Sequence, residues 1–195
     1  MKDDSHIPPL VLASGSPRRA KILESLGVSF EVLKTDAPEV SFPHDPEHTV
    51  TANASAKLEA ALAELRASRR PWRGALAADT IVWFDGRIYG KPRDLEEAAQ
   101  FLRELGGRTH VVFTGVAYAE PGGRVQSACA RSDVKFHPLD EATIAEYVAR
   151  VKPTDRAGAY DIDESGDLIV ESYSGSYENI MGLPVEPLKE FGIVQ

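Results

Sequence analysis

Two hydroxyls, a glycine and two guanidinium groups stand together in the short segment Ser14–Arg19. Pro17 suits the first position of a helix, because its missing N–H needs no partner there. Ser16 is then the natural N-cap, with its hydroxyl turned toward the free N–H groups. A helix N-terminus attracts anions, and Arg matches phosphate oxygens two at a time. The segment therefore predicts a phosphate site; the alternative is a capped helix followed by two solvated arginines.

Asp79 is the second candidate for chemistry, because it interrupts the apolar run over residues 75–84. A carboxylate inside such a strand costs free energy unless it is paired or binds a metal. The alternative is an Asp at a strand end that bonds to nearby backbone. Thr80 beside it and Lys91 downstream favour a functional role. A carboxylate surrounded by cations suits phosphate chemistry, since Mg²⁺ takes oxygen ligands and positive groups neutralise developing charge.

Three more charged residues are candidates whose surroundings leave their roles open. Glu39, in a loop, is a candidate second acid or a solvated loop residue. Lys57 shares a helical face with Ala54 and Leu62, which is typical of a lysine at the edge of a core. Lys91 lies between a glycine and a proline, where the backbone is restricted, so it is the better candidate for binding.

The remaining reactive residue types predict no other kind of site. The histidines show no metal-binding spacing, and His44 and His48 flank a predicted helix start at the surface. Cys129 is the only cysteine and is expected to be an inert strand residue. A chain that cannot form an intramolecular disulfide fits a reducing cytoplasm. Neither a P-loop nor a GxGxxG motif occurs.

Length and composition favour one globular domain over residues 1–195, with 43% hydrophobic and 27% charged residues. The formal net charge of −8 argues against a nucleic-acid partner, which usually requires a basic face. No run approaches the roughly 18 apolar residues that a membrane span needs. Small basic clusters in an acidic chain, around Arg18, Arg66 and Lys91, suit a small anionic ligand instead.

Helices and strands alternate along the chain, with hairpins inserted between them, which predicts an α/β fold with a mixed sheet. Aspartates mark several helix starts, and Gly or Pro mark the ends. The predicted strands are 10–12, 30–33, 75–84, 87–89, 110–118, 125–136 and 168–172. The predicted helices are 17–26, 46–66, 95–105, 141–150, 176–181 and 185–191.

Several separated motifs, taken together, resemble the Maf family of nucleoside triphosphate pyrophosphatases. Each motif is weak alone, but their order and spacing match over nearly the whole chain. They are Leu12–Arg19, Ala78–Thr80, Gly90–Pro92, Thr114–Val116, Asp155–Tyr160 and Gly175–Pro184.

The resemblance implies an elongated, twisted, mixed β-sheet flanked by helices, with two lobes around a central cleft, often in a dimer. This architecture is similar to that of inosine triphosphatases. The implied reaction cleaves a nucleoside triphosphate between its α and β phosphates, giving a monophosphate and pyrophosphate. It also implies a divalent metal, Mg²⁺ or Mn²⁺.

Carried onto this sequence, the resemblance makes Asp79 the group that activates water, a metal ligand, or both. Glu39 matches a family acid near the metal. The residues that match the triphosphate-binding set are Ser14, Ser16, Arg18, Arg19, Lys57 and Lys91. The role of Lys57 and Glu39 thus comes from the resemblance rather than from their spacing.

Base preference is expected to follow the dTTP and UTP branch of the family, because Arg18, Thr80 and the segment Ala157–Tyr160 agree with it. Two positions depart from that branch: Asp161 replaces a Gly, and Asp163 replaces a Gln. An ionised Asp only accepts hydrogen bonds, whereas Gln also donates. Asp163 would accept from the N3–H of the base and repel its carbonyls, so 7-methyl-GTP remains an alternative substrate.

Two further functions are alternatives to the enzyme. A nucleotide-binding regulator of septum formation would bind nucleotide without turning it over. A nucleic-acid-binding module would rest on the arginines between Arg66 and Arg73. The intact Asp79 and the lysine set favour the enzyme.

Overall fold

The computed structural model describes residues 7–195, in which seven strands form one mixed sheet. The strands are β1 (Leu10–Leu12), β2 (Phe30–Val32), β3 (Gly74–Phe84), β4 (Arg87–Tyr89), β5 (Thr109–Ala119), β6 (Gln126–Phe136) and β7 (Val170–Ser174). The helices are α1 (Pro17–Ser25), α2 (Pro46–Ser68), α3 (Leu95–Leu105), α4 (Glu141–Val151), α5 (Tyr177–Ile180) and α6 (Val185–Glu190).

The sheet has the order β2-β1-β3-β5-β6-β7, and β4 pairs with β3 beside this path. β1 is parallel to β2 and to β3, and the remaining pairs are antiparallel. The predicted α/β class with a mixed sheet is therefore confirmed. Among residues 7–195, no helix is both long and apolar enough to cross a membrane.

The starts of three helices were predicted correctly from their capping aspartates. Asp45 accepts a hydrogen bond from the backbone N–H of His48, and α2 begins at the next residue. The same aspartate-to-backbone bond begins α3 and α4. The prediction for β7 is off by two residues, because Gly166–Leu168 forms a 3-10 turn and the strand begins only at Val170.

β3 has two different partners along one edge. β1 pairs with Gly74–Leu76, and β4 pairs with Val82–Phe84. Within the described chain, residues 77–81 have no strand partner on that edge, whereas β5 pairs along the other edge without a break. The sheet is therefore open beside the middle of β3, where Asp79 and Thr80 lie.

The hydrophobic core is divided into separate clusters at the same point of β3. Leu76 and Ala78 pack in a cluster with residues of α1 and α6. Val82, farther along the same face, packs in a cluster with residues of α3 and α4. Thr80 lies between them on this face, and Asp79 lies on the opposite face between Ala77 and Ile81, which belong to two further clusters. The middle of β3 thus separates packed regions on both faces, in agreement with the predicted two lobes around a cleft.

Gly115 on β5 lies opposite Asp79 in the strand register and allows α2 to approach the sheet. A Cβ atom added at Gly115 would lie 2.4 Å from the backbone carbonyl of Val50 on α2. That distance is far below normal contact, so no other residue fits without displacing the helix. The same helix carries Lys57, whose reach to Asp79 depends on this close approach.

We expect Gly115→Ala to lower the free energy of unfolding by about 2 kcal/mol or more, since overpacking of a tight contact costs roughly 1–3 kcal/mol. Urea unfolding followed by circular dichroism measures the change. Gly90→Ala is the control, because a Cβ there meets no atom within 4 Å. Equal stability of the two variants would contradict the close packing of α2 on β5.

Candidate active site

Asp79 is 7% exposed, and its carboxylate is held by two side chains of α2. Lys57 Nζ donates to Asp79 Oδ1 at 2.6 Å, and Asn53 Nδ2 donates to Asp79 Oδ2 at 3.0 Å. These bonds offset the cost of burying the charge. Each carboxylate oxygen accepts one hydrogen bond here and keeps a second lone pair for another donor or a cation.

Lys57 links Asp79 to a second carboxylate. Its Nζ lies 2.8 Å from Glu39 Oε1, so one ammonium bridges both acids. The hydrogen bond from Lys57 lowers the pKa of Glu39, and the positive charges of Lys91 and Arg19 act in the same direction. Glu39 is therefore ionised at neutral pH, and two negative oxygens face one region of the cleft.

Arg19 is anchored by three hydrogen bonds from its guanidinium. Nε donates to Gly182 O at 2.8 Å, Nη1 to Ser14 Oγ at 2.8 Å and Nη2 to Thr80 Oγ1 at 3.1 Å. Burial lowers the pKa of Arg19 to about 10, so the side chain keeps its charge at neutral pH. The bonds hold a fixed positive group between the Ser14 loop and β3.

Thr80 belongs to a directed chain of hydroxyls. Thr114 Oγ1 donates to Asn179 O at 3.1 Å, so its single proton is used there. The 3.0 Å contact between Thr80 and Thr114 is then donated by Thr80. Thr80 Oγ1 in turn accepts from Arg19. This chain fixes the rotamer of Thr80 and ties β3 and β5 to α5.

The start of α1 differs in detail from its prediction. Ser16 occupies the N-cap position, but its hydroxyl makes no cap bond to the helix. Instead, the Ser16 N–H donates to Ser14 Oγ at 3.2 Å. Ser14 therefore accepts from both Ser16 and Arg19, which leaves its own hydroxyl proton free to donate to a ligand. The N–H groups of the first turn of α1 likewise retain their capacity to bind an anion.

Arg18 has an unused hydrogen-bonding capacity. Its buried Nη1 lies 3.7 Å from Asp161 and 3.8 Å from Asp155, and it has no hydrogen-bond partner. Asp161 is occupied by Arg156, whose Nε donates to Asp161 Oδ2 at 2.9 Å. Two nearby carboxylates thus orient Arg18 electrostatically, and its N–H groups remain available to a ligand.

One cleft of about 940 Å³ brings together nearly all the residues predicted to act. Its lining includes Ser14, Ser16, Arg18, Arg19, Glu39, Lys57, Asp79, Thr80 and Lys91. Lys34, which the sequence analysis did not single out, adds another cation to this lining. Such a concentration of positive groups and hydroxyls around two acids suits a polyphosphate.

The lining also contains apolar and aromatic side chains, which suit a flat, less polar group of a ligand. They include Val82, Val112, Tyr160 and Ile180. Tyr160 is fixed by a 3.0 Å contact between its hydroxyl and His110 Nε2, and burial raises its pKa. Tyr160 is therefore neutral and rigid at physiological pH.

Asp163 is the one predicted site residue that does not line the cleft. It is paired with Lys21, and Tyr177 OH donates to its Oδ1 at 3.2 Å. The hydrogen bond from Lys21 lowers the pKa of Asp163. Its part in base recognition stays a prediction.

Several residues of the site were missed by the sequence analysis. Asn53 lies one helical turn before Lys57, and a polar residue on the same face as Lys57 and Leu58 was a usable signal. Thr114 and Asn179 are fully buried polar residues that meet only through tertiary pairing. Both lie in motifs that carry the family resemblance, but no local pattern identifies them as parts of the site.

We expect Gly182→Ala to weaken the hydrogen bonds that hold Arg19 to Gly182 and Thr80. Gly182 has a φ of +100°, and an added Cβ would lie 3.1 Å from Thr80 Oγ1. Stability should fall by about 1–3 kcal/mol from backbone strain, and tripolyphosphate should bind at least about fivefold more weakly by calorimetry. Gly192→Ala is the matched control, because its φ is +72° but no atom lies within 4 Å of the added Cβ. The same loss of affinity in both variants would contradict the role of this contact.

Known proteins resemble the chain over nearly its full length. It is 41% identical over 197 residues to the dTTP/UTP pyrophosphatase of Aromatoleum aromaticum, covering 94% of this chain and 95% of that protein. It is 44% identical over 184 residues to the dTTP/UTP pyrophosphatase of Desulfitobacterium hafniense, covering 93% of this chain and 82% of that protein.

Among solved structures, the Ham1 protein of Staphylococcus aureus superposes with a TM-score of 0.49 at 15% identity, covering 81% of this chain and 89% of that one. The sequence profile of the Maf-like protein family matches residues 9–191. With that match and relatives above 40% identity, the chain belongs to the Maf-like protein family.

Proposed function

We propose that this protein hydrolyses dTTP and UTP between the α and β phosphates, releasing the nucleoside monophosphate and pyrophosphate. The observation that carries the proposal is the buried Asp79 carboxylate, which shares the Lys57 ammonium with Glu39 inside a cleft lined by cations. The names of the 41% and 44% identical relatives support the same activity and the same pyrimidine substrates. We expect it to act in the cytoplasm, where free nucleoside triphosphates are found.

The donor set of the site fits Mg²⁺ or Mn²⁺, and Asp79 with Glu39 would hold it. Among the described residues, no group of three or more His, Cys, Asp or Glu could bind a metal by itself. Mg²⁺ is commonly held by one or two carboxylates together with substrate phosphates, and two carboxylates are what the cleft provides. When bound, such an ion polarises phosphate oxygens and offsets developing charge.

Asp79 is the proposed proton acceptor for the attacking water. The water oxygen forms a bond to phosphorus, the bridging P–O bond between the α and β phosphates breaks, and the water proton passes to Asp79. The hydrogen bond from Lys57 holds the Asp79 carboxylate in place until that transfer. Pyrophosphate leaves with the bonding electron pair, so its added negative charge must be neutralised.

The cations of the cleft are placed to neutralise that charge. Arg19 is prearranged by its three anchors and pays little reorganisation when the phosphates bind. Ser14 has a free hydroxyl proton to donate, and the loop of Lys91 is tied down by the bond from Gly158 N–H to Gly90 O at 3.1 Å. Tyr160 and its apolar neighbours in the lining are the proposed contact for the base.

We expect Asp79→Asn to reduce pyrophosphate release by at least about 100-fold, because general-base catalysis contributes roughly 10²–10⁴ in rate. The amide is isosteric but accepts a proton poorly, so a non-hydrolysable dTTP analogue tested without added metal should bind with a Kd within about threefold. Asp133→Asn is the control, since Asp133 pairs with Arg131 outside the cleft. Turnover by Asp79→Asn comparable to that of the control would refute the assignment.

We expect dTTP and UTP to be turned over at least about tenfold faster than GTP, ITP or 7-methyl-GTP at equal subsaturating concentration, a margin of about 1.4 kcal/mol. Pyrophosphate release with Mg²⁺ and with Mn²⁺ measures it for each nucleotide. A preference centred on 7-methyl-GTP would keep the chemistry and overturn the pyrimidine specificity. Nucleotide binding without turnover of any substrate would instead favour a non-catalytic regulator.

A further inference from the structure

Asn53 joins the Glu39 loop to Asp79 through a single side chain. Its Oδ1 accepts from the N–H of Val40 at 2.8 Å, and its Nδ2 donates to the carbonyl of Val40 at 3.1 Å. The second hydrogen of the same Nδ2 goes to Asp79 Oδ2 at 3.0 Å. Asn53 is 4% exposed, and both of its amide hydrogens are used.

These contacts fix the orientation of the Asn53 amide. A flipped amide would point its NH₂ group at the N–H of Val40 and its oxygen at Asp79, which replaces attractive contacts by repulsive ones. Asp in this position would lack both donors and would face Asp79 with a like charge. Only an amide satisfies the Val40 backbone and the Asp79 carboxylate together.

Thr49 holds the same loop one helical turn earlier, but without touching Asp79. It accepts from the N–H of Phe42 at 2.9 Å and donates to Asp45 O at 3.0 Å. The pair Thr49 and Asn53 thus fastens an irregular, exposed loop to α2 at two points. Of the two attachments, only Asn53 also contacts Asp79, so it fixes the position of the loop relative to the proposed catalytic acid.

We propose that Asn53 is a positioning residue that sets Glu39 against Asp79 for the hydrolysis reaction. Glu39 is adjacent to Val40, its side chain is 59% exposed, and its polar contact is the 2.8 Å pair with Lys57. An exposed ion pair alone holds a loop weakly. The Val40–Asn53 bonds therefore do most of the fixing, and they transmit the position of Asp79 to Glu39. This inference rests on the proposed function.

The test compares Asn53→Leu with Thr49→Val for dTTP hydrolysis. Leu keeps the branched shape of Asn, and Val40 is 44% exposed, so water can reach the freed loop and the fold should persist. We expect Asn53→Leu to lower kcat about tenfold with KM changed less than threefold, since small misplacements of catalytic groups cost up to about 10² in rate. Thr49→Val, which loosens the loop but not Asp79, should lower kcat less than threefold.

A double-mutant cycle separates positioning from general destabilisation. In a Glu39→Gln background, Asn53→Leu should lower kcat less than about threefold, because the Glu39 carboxylate is already gone and Lys57 still holds Asp79 in both backgrounds. The same tenfold loss in both backgrounds would overturn the proposal. Wild-type kcat in Asn53→Leu would also overturn it.

Hydrogen exchange of the Val40 amide gives a readout that needs no turnover. Asn53→Leu should speed its exchange at least about tenfold, while Thr49→Val leaves it within threefold. Unchanged protection in Asn53→Leu would overturn the positioning role even if activity fell. An inactive wild-type protein would contradict the proposed function itself, whereas an active wild type with an unimpaired Asn53→Leu would contradict only this inference.

Discussion

The burial of one carboxylate in the middle of β3 is the constraint on which the rest of the site depends. Asp79 is 7% exposed, and an isolated charge at that depth is too costly to keep. Lys57 and Asn53 compensate it, and both come from α2, so this helix must lie close against the sheet. Gly115 provides the space for that approach. One buried charge thus dictates the packing of a whole helix.

The cleft arises from the way the sheet is paired. β1 and β4 share one edge of β3 and leave residues 77–81 open between them. On both faces of β3 the buried hydrophobic residues before and after this interval belong to different clusters, and none of these clusters contains Asp79 or Thr80. A polar site can therefore sit in the middle of a long strand without interrupting the core of either packed region. The cations that surround it reach the opening from α1, α2 and the loops.

Much of the fold was predictable because its signals are local. Asp45 and Asp140 each cap the helix that follows, and the apolar runs of β3 and β5 identify buried strands. The hydroxyls and arginines of residues 14–19 predicted a phosphate-binding junction, and the structure lines the cleft with them. Asp79 was recognisable because a buried carboxylate in an apolar strand costs free energy unless it is paired or binds a metal. Lys57 and Glu39 gained their roles from family resemblance rather than from their own pattern.

What local reasoning missed depends on contacts between distant segments. Thr114, Asn179 and Gly182 meet Arg19 and Thr80 only after the chain has folded. Ser16 is at the predicted N-cap position, but its N–H donates to the Ser14 hydroxyl, which Arg19 also contacts. Asp163 pairs with Lys21, which is 142 residues away in the sequence. In each case a tertiary hydrogen bond decides the outcome.

The most direct test of the account is which bond of dTTP the purified protein breaks, followed by ³¹P NMR with Mg²⁺ present. Cleavage between the α and β phosphates predicts dTMP and pyrophosphate in equal amounts, with no dTDP at any time. Release of orthophosphate and dTDP would contradict the account, because it would place the attacking water at the terminal phosphate instead.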